Sequence, residues 1–119
     1  MKISELAKRT NISTHRLRRY EALGLIKSTR SKNNYREFSE SVVREVIFIC
    51  MSRECGFSIN SITDYLPRFR AGTLTAKEMI EAIRQRIKEI NEGINTQLDL
   101  RKKLEDHIEW FNNKARKSK

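Results

Sequence analysis

From Ala76 onward the chain places an apolar residue at alternating steps of four and three: Ala76, Ile80, Ile83, Ile87, Ile90 and Ile94. That alternation keeps one stripe on one side of an α-helix and is the seam of a coiled coil. Continued in register, the stripe passes through polar Gln97 and Arg101 and returns to Leu104, Ile108 and Phe111. Thr75-Ala76-Lys77-Glu78 reads as a capping box that opens the helix. The alternative is a helix folded back on its own domain, against which the absence of a break after Gly93 weighs. Some forty residues of helix reach about 60 Å, far more than the core of so small a chain needs to cover it. A helix of this kind needs a partner along its stripe, and the simplest partner is a second copy. The dimerisation residues are therefore Ile80, Ile83, Ile87, Ile90, Ile94, Leu104, Ile108 and Phe111, with Gln97 and Arg101 as polar seam residues that fix register.

The helix leaves room for one small domain ahead of it. The division expected is residues 1–73 for that domain, 74–112 for the coiled-coil helix and 113–119 for a basic tail. The net charge is +10, with 25 Lys and Arg against 15 Asp and Glu. It is concentrated at the start: residues 1–38 hold ten basic and three acidic residues, and residues 39–73 hold four of each. So strongly positive a segment beside a neutral one is a directed surface, and its natural partner is a polyanion.

Within the positive segment, Ile3, Leu6 and Ala7 share a helical face, and Asn11 tolerates the left-handed conformation that ends a helix. Ile12 plugs the corner, and Ser13 or Thr14 caps a second helix that stops at Gly24. Leu17 and Tyr20 face inward, while His15, Arg16, Arg18 and Arg19 lie on the exposed sides. This is a helix-turn-helix whose second helix presents cations and hydrogen-bonding groups suited to a DNA major groove. Beyond it, Leu25-Ile26 and Tyr35-Arg36-Glu37-Phe38 are expected as two short strands around an Asn33-Asn34 tip. That wing offers Arg30, Lys32, Tyr35 and Arg36 to phosphates. The fold class is thus all-α with a small β wing: a winged helix-turn-helix followed by a long coiled-coil helix.

The run Leu17 to Ser39, LRRYEALGLIKSTRSKNNYREFS, resembles the signature of the MerR family of bacterial transcription regulators. Arg18, Tyr20 and Glu21 match it; Arg19 stands where a tyrosine is usual, and Asn34 where glycine is usual. Glu54-Cys55-Gly56-Phe57-Ser58 is similar to the family's Glu-Leu-Gly-Phe-Ser junction. The resemblance implies that Ser13, Thr14, His15 and Arg16 face bases, and that Arg18, Tyr20, Arg30, Tyr35 and Arg36 grip phosphates. It also implies an antiparallel homodimer that reads a pseudo-palindromic promoter and bends and untwists it for RNA polymerase.

Ser39 is expected to cap a third helix, the most apolar stretch of the chain, which ends at Gly56. Ser58 caps a fourth that runs through Ile59, Ile62, Tyr65 and Leu66, with Pro67 limiting its regular length. Cys50 and Cys55 are too far apart for a CxxC pair, and about 140° separates them on a helix. Metal-sensing members of the family resemble one another in ligand cysteines at the start of the long helix and just after it, where this chain has none. No metal and no cofactor are expected, and Cys50 is read as a small core residue.

Lys2, Ser4, Glu5 and Lys8 interrupt any apolar run at the start, so no secretion signal is expected. No stretch has the length to span a bilayer. Two separated histidines, with no phosphate loop or nucleophile motif, argue against an enzyme. The expectation is a cytoplasmic, nucleoid-associated regulator. The alternatives are an effector-independent architectural or phage-type DNA-binding protein and a coiled-coil interaction module. The effector and the sign of regulation are not legible.

Overall fold

The computed structural model describes residues 1–117. Its elements are α1 (Ile3–Thr10), α2 (Thr14–Ala22), β1 (Thr29–Arg30), β2 (Arg36–Glu37), α3 (Ser41–Glu54), α4 (Ile59–Ala71) and α5 (Ala76–Lys117). One compact unit extends from Met1 through Met79, and a second begins at Ile80.

The first unit is built as local chemistry dictates. Asn11 ends α1 in the left-handed region, with φ of 57°. Ile12 is buried in the corner behind it. The Ser13 hydroxyl then accepts the Arg16 N–H at 3.2 Å and caps α2. Gly24, at φ of +78°, closes α2. Its N–H donates to the Glu21 carbonyl, and the next N–H, of Leu25, reaches back to the Tyr20 carbonyl. This pair of bonds is a Schellman stop, and it swings Leu25 and Ile26 inward until each is 1% exposed. The first strand is therefore not Leu25-Ile26, as the apolar pair suggests, but Thr29–Arg30. It pairs antiparallel with β2 as Thr29 to Glu37 and Arg30 to Arg36. The turn runs Ser31 to Asn34, with Asn34 left-handed at φ of 64° and its N–H on the Ser31 carbonyl at 2.9 Å. The Phe38 N–H donates to the Met1 carbonyl at 2.7 Å, tying the end of the wing to the start of α1.

The core gathers Leu6 from α1, Leu17 and Tyr20 from α2, Leu25, Ile26 and Phe38 from around the wing, Val46 and Ile49 from α3, and Ile62 and Leu66 from α4. Two sequence expectations change here. Ser39 does not cap α3 with its side chain; its carbonyl takes the Val42 N–H at 3.1 Å, while its hydroxyl pairs with that of Ser41. Pro67 does not limit α4, which continues to Ala71. The lost hydrogen bond is borne because Leu66 is buried and Phe69 packs on the core, stacked on Phe48 with centroids 4.3 Å apart.

One ion pair escapes the sequence altogether. Glu45 of α3 is buried, and Arg70 of α4 donates to it through Nε. Arg70 also donates through Nη2 to the Leu25 carbonyl at 2.6 Å. A buried carboxylate is tolerable only when so paired, and here the pair ties α3 and α4 to the segment just past α2.

The Thr75 hydroxyl accepts the Glu78 N–H at 3.2 Å, so α5 opens with the expected cap. Arg68 donates to both Glu78 oxygens, at 2.6 and 2.8 Å, and this hydrogen bond holds the Glu78 carboxyl below its usual range. The helix then runs unbroken past Gly93 and past the boundary expected at 112, as far as Lys117. Residues 113–117 of the expected tail are thus helical, and 118–119 lie outside the described residues.

A Cβ built on Gly24 meets nothing within 4 Å, so Gly24→Ala should cost only the left-handed backbone penalty, about 1 kcal/mol. Urea denaturation measures it; an unchanged midpoint would contradict the Schellman stop as the reason for glycine there.

Candidate nucleic-acid interface

The exposed side of α2 carries Ser13, His15, Arg16, Arg18 and Arg19, with Thr14 half-buried at its first turn. The inward side is fixed by Leu17, at 0% exposure, and Tyr20. Arg16 does not swing free. Its Nη2 donates to the Tyr20 hydroxyl at 2.8 Å, its guanidinium lies 5.7 Å from that ring, and the Cys50 sulfur is 4.0 Å away. The Tyr20 hydrogen bond raises the Arg16 pKa further, so the side chain is a cation at any working pH. Tyr20, placed among the phosphate-gripping residues by resemblance, is itself buried. Its observed part is to hold Arg16.

The wing is locked to α2 by one carboxylate. Glu21 accepts the Ser28 hydroxyl on one oxygen and Arg36 Nε at 2.7 Å on the other. Burial works to raise the Glu21 carboxyl, but the hydrogen bonds from Ser28 and Arg36 outweigh it and hold the group below its ordinary value. Arg36 is half-buried as a result and stands braced beside α2. Arg30 is tied to the hairpin tip, with Nη1 donating to the Asn34 carbonyl at 3.1 Å.

Between α1, α2 and the wing lies a cavity of about 220 Å³ lined by Lys2, Ile3, Ser4, Arg18, Arg30, Asn34, Tyr35 and Arg36. Four of these eight are cations, and none is a carboxylate. Arg18, Arg30, Tyr35 and Arg36 were expected at phosphates, and the cavity brings them together; Lys2 was not among the expected residues. It sits just ahead of α1, with Nζ 5.2 Å from the Tyr35 ring centroid, a contact across 33 residues that no local pattern signals. An open, cationic cavity of this kind suits a phosphate, held by charge-assisted bonds from side chains already positioned. Arg19 and His15 are exposed on α2 but do not line the cavity.

The apolar stripe expected to pair with a second copy lies along α5 without cover from the rest of the chain. No residue of α5 is buried; Ile80, Ile87, Ile90, Ile94, Leu104, Ile108 and Phe111 are exposed and Ile83 is half-buried. Cys50 and Cys55 are not joined in a disulfide and are both half-buried, and Cys50 packs against the core. Among the described residues no group of three or more His, Cys, Asp or Glu side chains is placed to hold a metal ion, and no helix is long and apolar enough to cross a membrane.

A model of the MerR helix-turn-helix regulatory protein family matches residues 1–68, and a second, for MerR DNA binding, matches residues 43–107. The chain belongs to the MerR family. It is 35% identical over 106 residues to a probable heavy metal-dependent transcriptional regulator of Haemophilus influenzae, covering 88% of this chain and 83% of that protein. A ZntR homolog of the same organism is 32% identical over 105 residues, covering 87% and 78%. The crystal structure of the Ralstonia metallidurans regulator PbrR691 with lead(II) superposes with a TM-score of 0.71 at 24% identity, over 89% of this chain and 83% of that one. HiNmlR, a MerR family regulator lacking the sensor domain and bound to promoter DNA, superposes with a TM-score of 0.60 at 20% identity, over 83% and 78%. At these identities the two structures share the fold. As a MerR-family member, the chain is a DNA-binding regulator of transcription.

The Glu21 joint has a pH signature. A carboxyl held below its unfolded value of 4.5 adds stability above that pH and loses it as pH falls through the lower folded value. As pH falls below 4.5, stability should therefore decline less steeply in Glu21→Gln than in the parent chain, measured by urea midpoints across an acid series. Equal slopes would remove Glu21 as the wing's electrostatic anchor.

Proposed function

We propose that this MerR-family chain acts as a homodimer that reads two half-sites of a pseudo-palindromic promoter. The observation that carries the reading is the cavity formed by Lys2, Arg18, Arg30 and Arg36 beside an exposed recognition helix. The first turn of α2, with Ser13, Thr14, His15 and Arg16, faces bases, and Arg19 extends the cationic side. The cavity takes a backbone phosphate. Two such heads related by a two-fold axis fit the inverted symmetry of an operator. The apolar stripe of α5 supplies the contact between copies.

Because both the wing and α2 hold the backbone, movement of one head relative to the other deforms the duplex between them. The energy stored depends on the flexibility of the intervening base steps. RNA polymerase at the promoter is the partner that responds, and the working place is the nucleoid in the cytoplasm. The heavy metals and the lead(II) in the names of related proteins belong to those proteins. Cys50 and Cys55 lie within and at the end of α3, not along the long helix, so control by a thiolate-bound metal is not part of this reading.

The test separates the two kinds of contact. Arg18→Ala and Arg30→Ala should weaken binding on every duplex alike. Each should lower the slope of log affinity against log salt by about 1 per site, or about 2 per dimer. Arg16→Ala and Thr14→Ala should instead change which bases are preferred, by about 1–3 kcal/mol at the affected position. Fluorescence anisotropy on specific and scrambled duplexes across a salt series reads both. A change of base preference in Arg18→Ala with an unaltered salt slope would refute the phosphate assignment.

A further inference from the structure

Arg16 comes to its task with part of its guanidinium already engaged. The Ser13 hydroxyl accepts its backbone N–H and fixes where the side chain leaves α2. One turn on, the Tyr20 hydroxyl accepts a bond from Arg16 Nη2 at 2.8 Å. Cys50 of α3 places its sulfur 4.0 Å from the same nitrogen. The thiol hydrogen is directed elsewhere, to Glu54 Oε1 at 3.7 Å, which leaves the sulfur as an acceptor toward Arg16. Tyr20 is buried and Cys50 packs against the core, so both acceptors are fixed in place.

Which nitrogen is engaged decides what the side chain can read. A guanidinium carries five N–H donors in one plane. They make two forks: Nε–H beside one Nη2–H, and Nη1–H beside the other Nη2–H. The second Nη1–H stands alone, on the side of Cδ. Nη2 therefore belongs to both forks, and Nη2 is the nitrogen that Tyr20 and Cys50 hold. A fork is what arginine needs to take guanine O6 and N7 together, its commonest specific contact in a major groove.

We infer that Arg16 reads its base position with single donors, and that Tyr20 and Cys50 are the positioning residues that deny it the guanine fork. A lone donor is satisfied by N7 of guanine or adenine and by O4 of thymine. Cytosine presents only its amino group in the major groove. The position therefore accepts three bases and excludes cytosine. The inference rests on the reading above that Arg16 faces bases, and adds which bases it accepts.

The restraint is a strong one. The bond to Tyr20 is charge-assisted, and such bonds are about twice as strong as neutral ones. The guanidinium also lies 5.7 Å from the Tyr20 ring, which holds it by cation–π attraction. A guanine fork would have to give up the Nη2 bond, because the buried ring cannot follow the guanidinium as it turns. The second acceptor comes from another helix, 34 positions along the chain, so base choice is set in part by α3. Tolerance of three bases lets two heads bind half-sites that differ at this position, as in a pseudo-palindrome.

Selection of randomised duplexes by the full chain, followed by sequencing, tests this. Comparison with Arg16→Ala locates the position that Arg16 reads. There the parent chain should take guanine, adenine and thymine within about threefold of one another and disfavour cytosine by about fivefold or more. Tyr20→Phe with Cys50→Ala frees Nη2 while keeping the aromatic ring in the core. That variant should favour guanine over adenine and thymine about tenfold, and adding Arg16→Ala should erase the gain. Tyr20→Phe alone, which removes a single oxygen, should move the preference the same way by a smaller factor. A parent chain already selective for guanine by about tenfold overturns the inference. So does a freed variant that loses affinity on every duplex alike while its base preference at the located position stays unchanged, the result of a merely structural role. If Arg16→Ala alters no position, the base-facing role of Arg16 fails and the inference fails with it.

Discussion

One carboxylate joins the wing to the proposed recognition helix. Glu21, in the last turn of the recognition helix, holds Ser28 on the connecting segment and Arg36 on the second wing strand. Without it the wing is a two-stranded hairpin of two residues per strand, too short to keep a shape in water. With it, Arg36 of the wing is held at a fixed place beside α2. An array of fixed cations can match the spacing of phosphates, whereas mobile ones lose rotamer entropy on binding. Behind this joint, Arg70 fastens the Leu25 carbonyl to Glu45, so the segment leaving α2 is held from both sides.

The second constraint is an apolar stripe without cover. The small unit completes its own core with Leu17, Ile49, Ile62 and their neighbours, and nothing on α5 is buried. A helix of 42 residues in water needs more than propensity to persist, since most helical stability in proteins comes from packing of an apolar face. The same sequence thus finishes one core and leaves half of another. That division suits the proposed arrangement of two reading heads on a common axis.

What could be read from the sequence was local. Asn11, Ser13, Gly24, Ser58 and Thr75 announce helix ends through their own backbone preferences and hydroxyls, and each sits where that chemistry places it. The isoleucine spacing gave the stripe for the same reason. Contacts between distant positions were not legible. The Leu25-Ile26 pair looked like a strand because alternation cannot show that a Schellman stop turns both residues into the core. Glu45 and Arg70 lay unremarked in a neutral stretch, 25 residues apart, because only the packing of α3 on α4 joins them. Lys2 reaches the site across 33 residues, with its ammonium near the ring of Tyr35. Tyr20 was visible as an important residue, but its buried ring and its bond to Arg16 became clear only in three dimensions.

The central claim is that two copies of one cationic cavity each grip a phosphate of the same duplex. Interference with methylphosphonate substitution tests it most directly, because each position along an operator loses its charge in turn while the bases stay unchanged. The account gives two equivalent clusters of sensitive phosphates, related by the operator's two-fold axis, each abolished as a cluster by Arg18→Ala. Interference confined to one cluster, or spread evenly along the duplex, would contradict it.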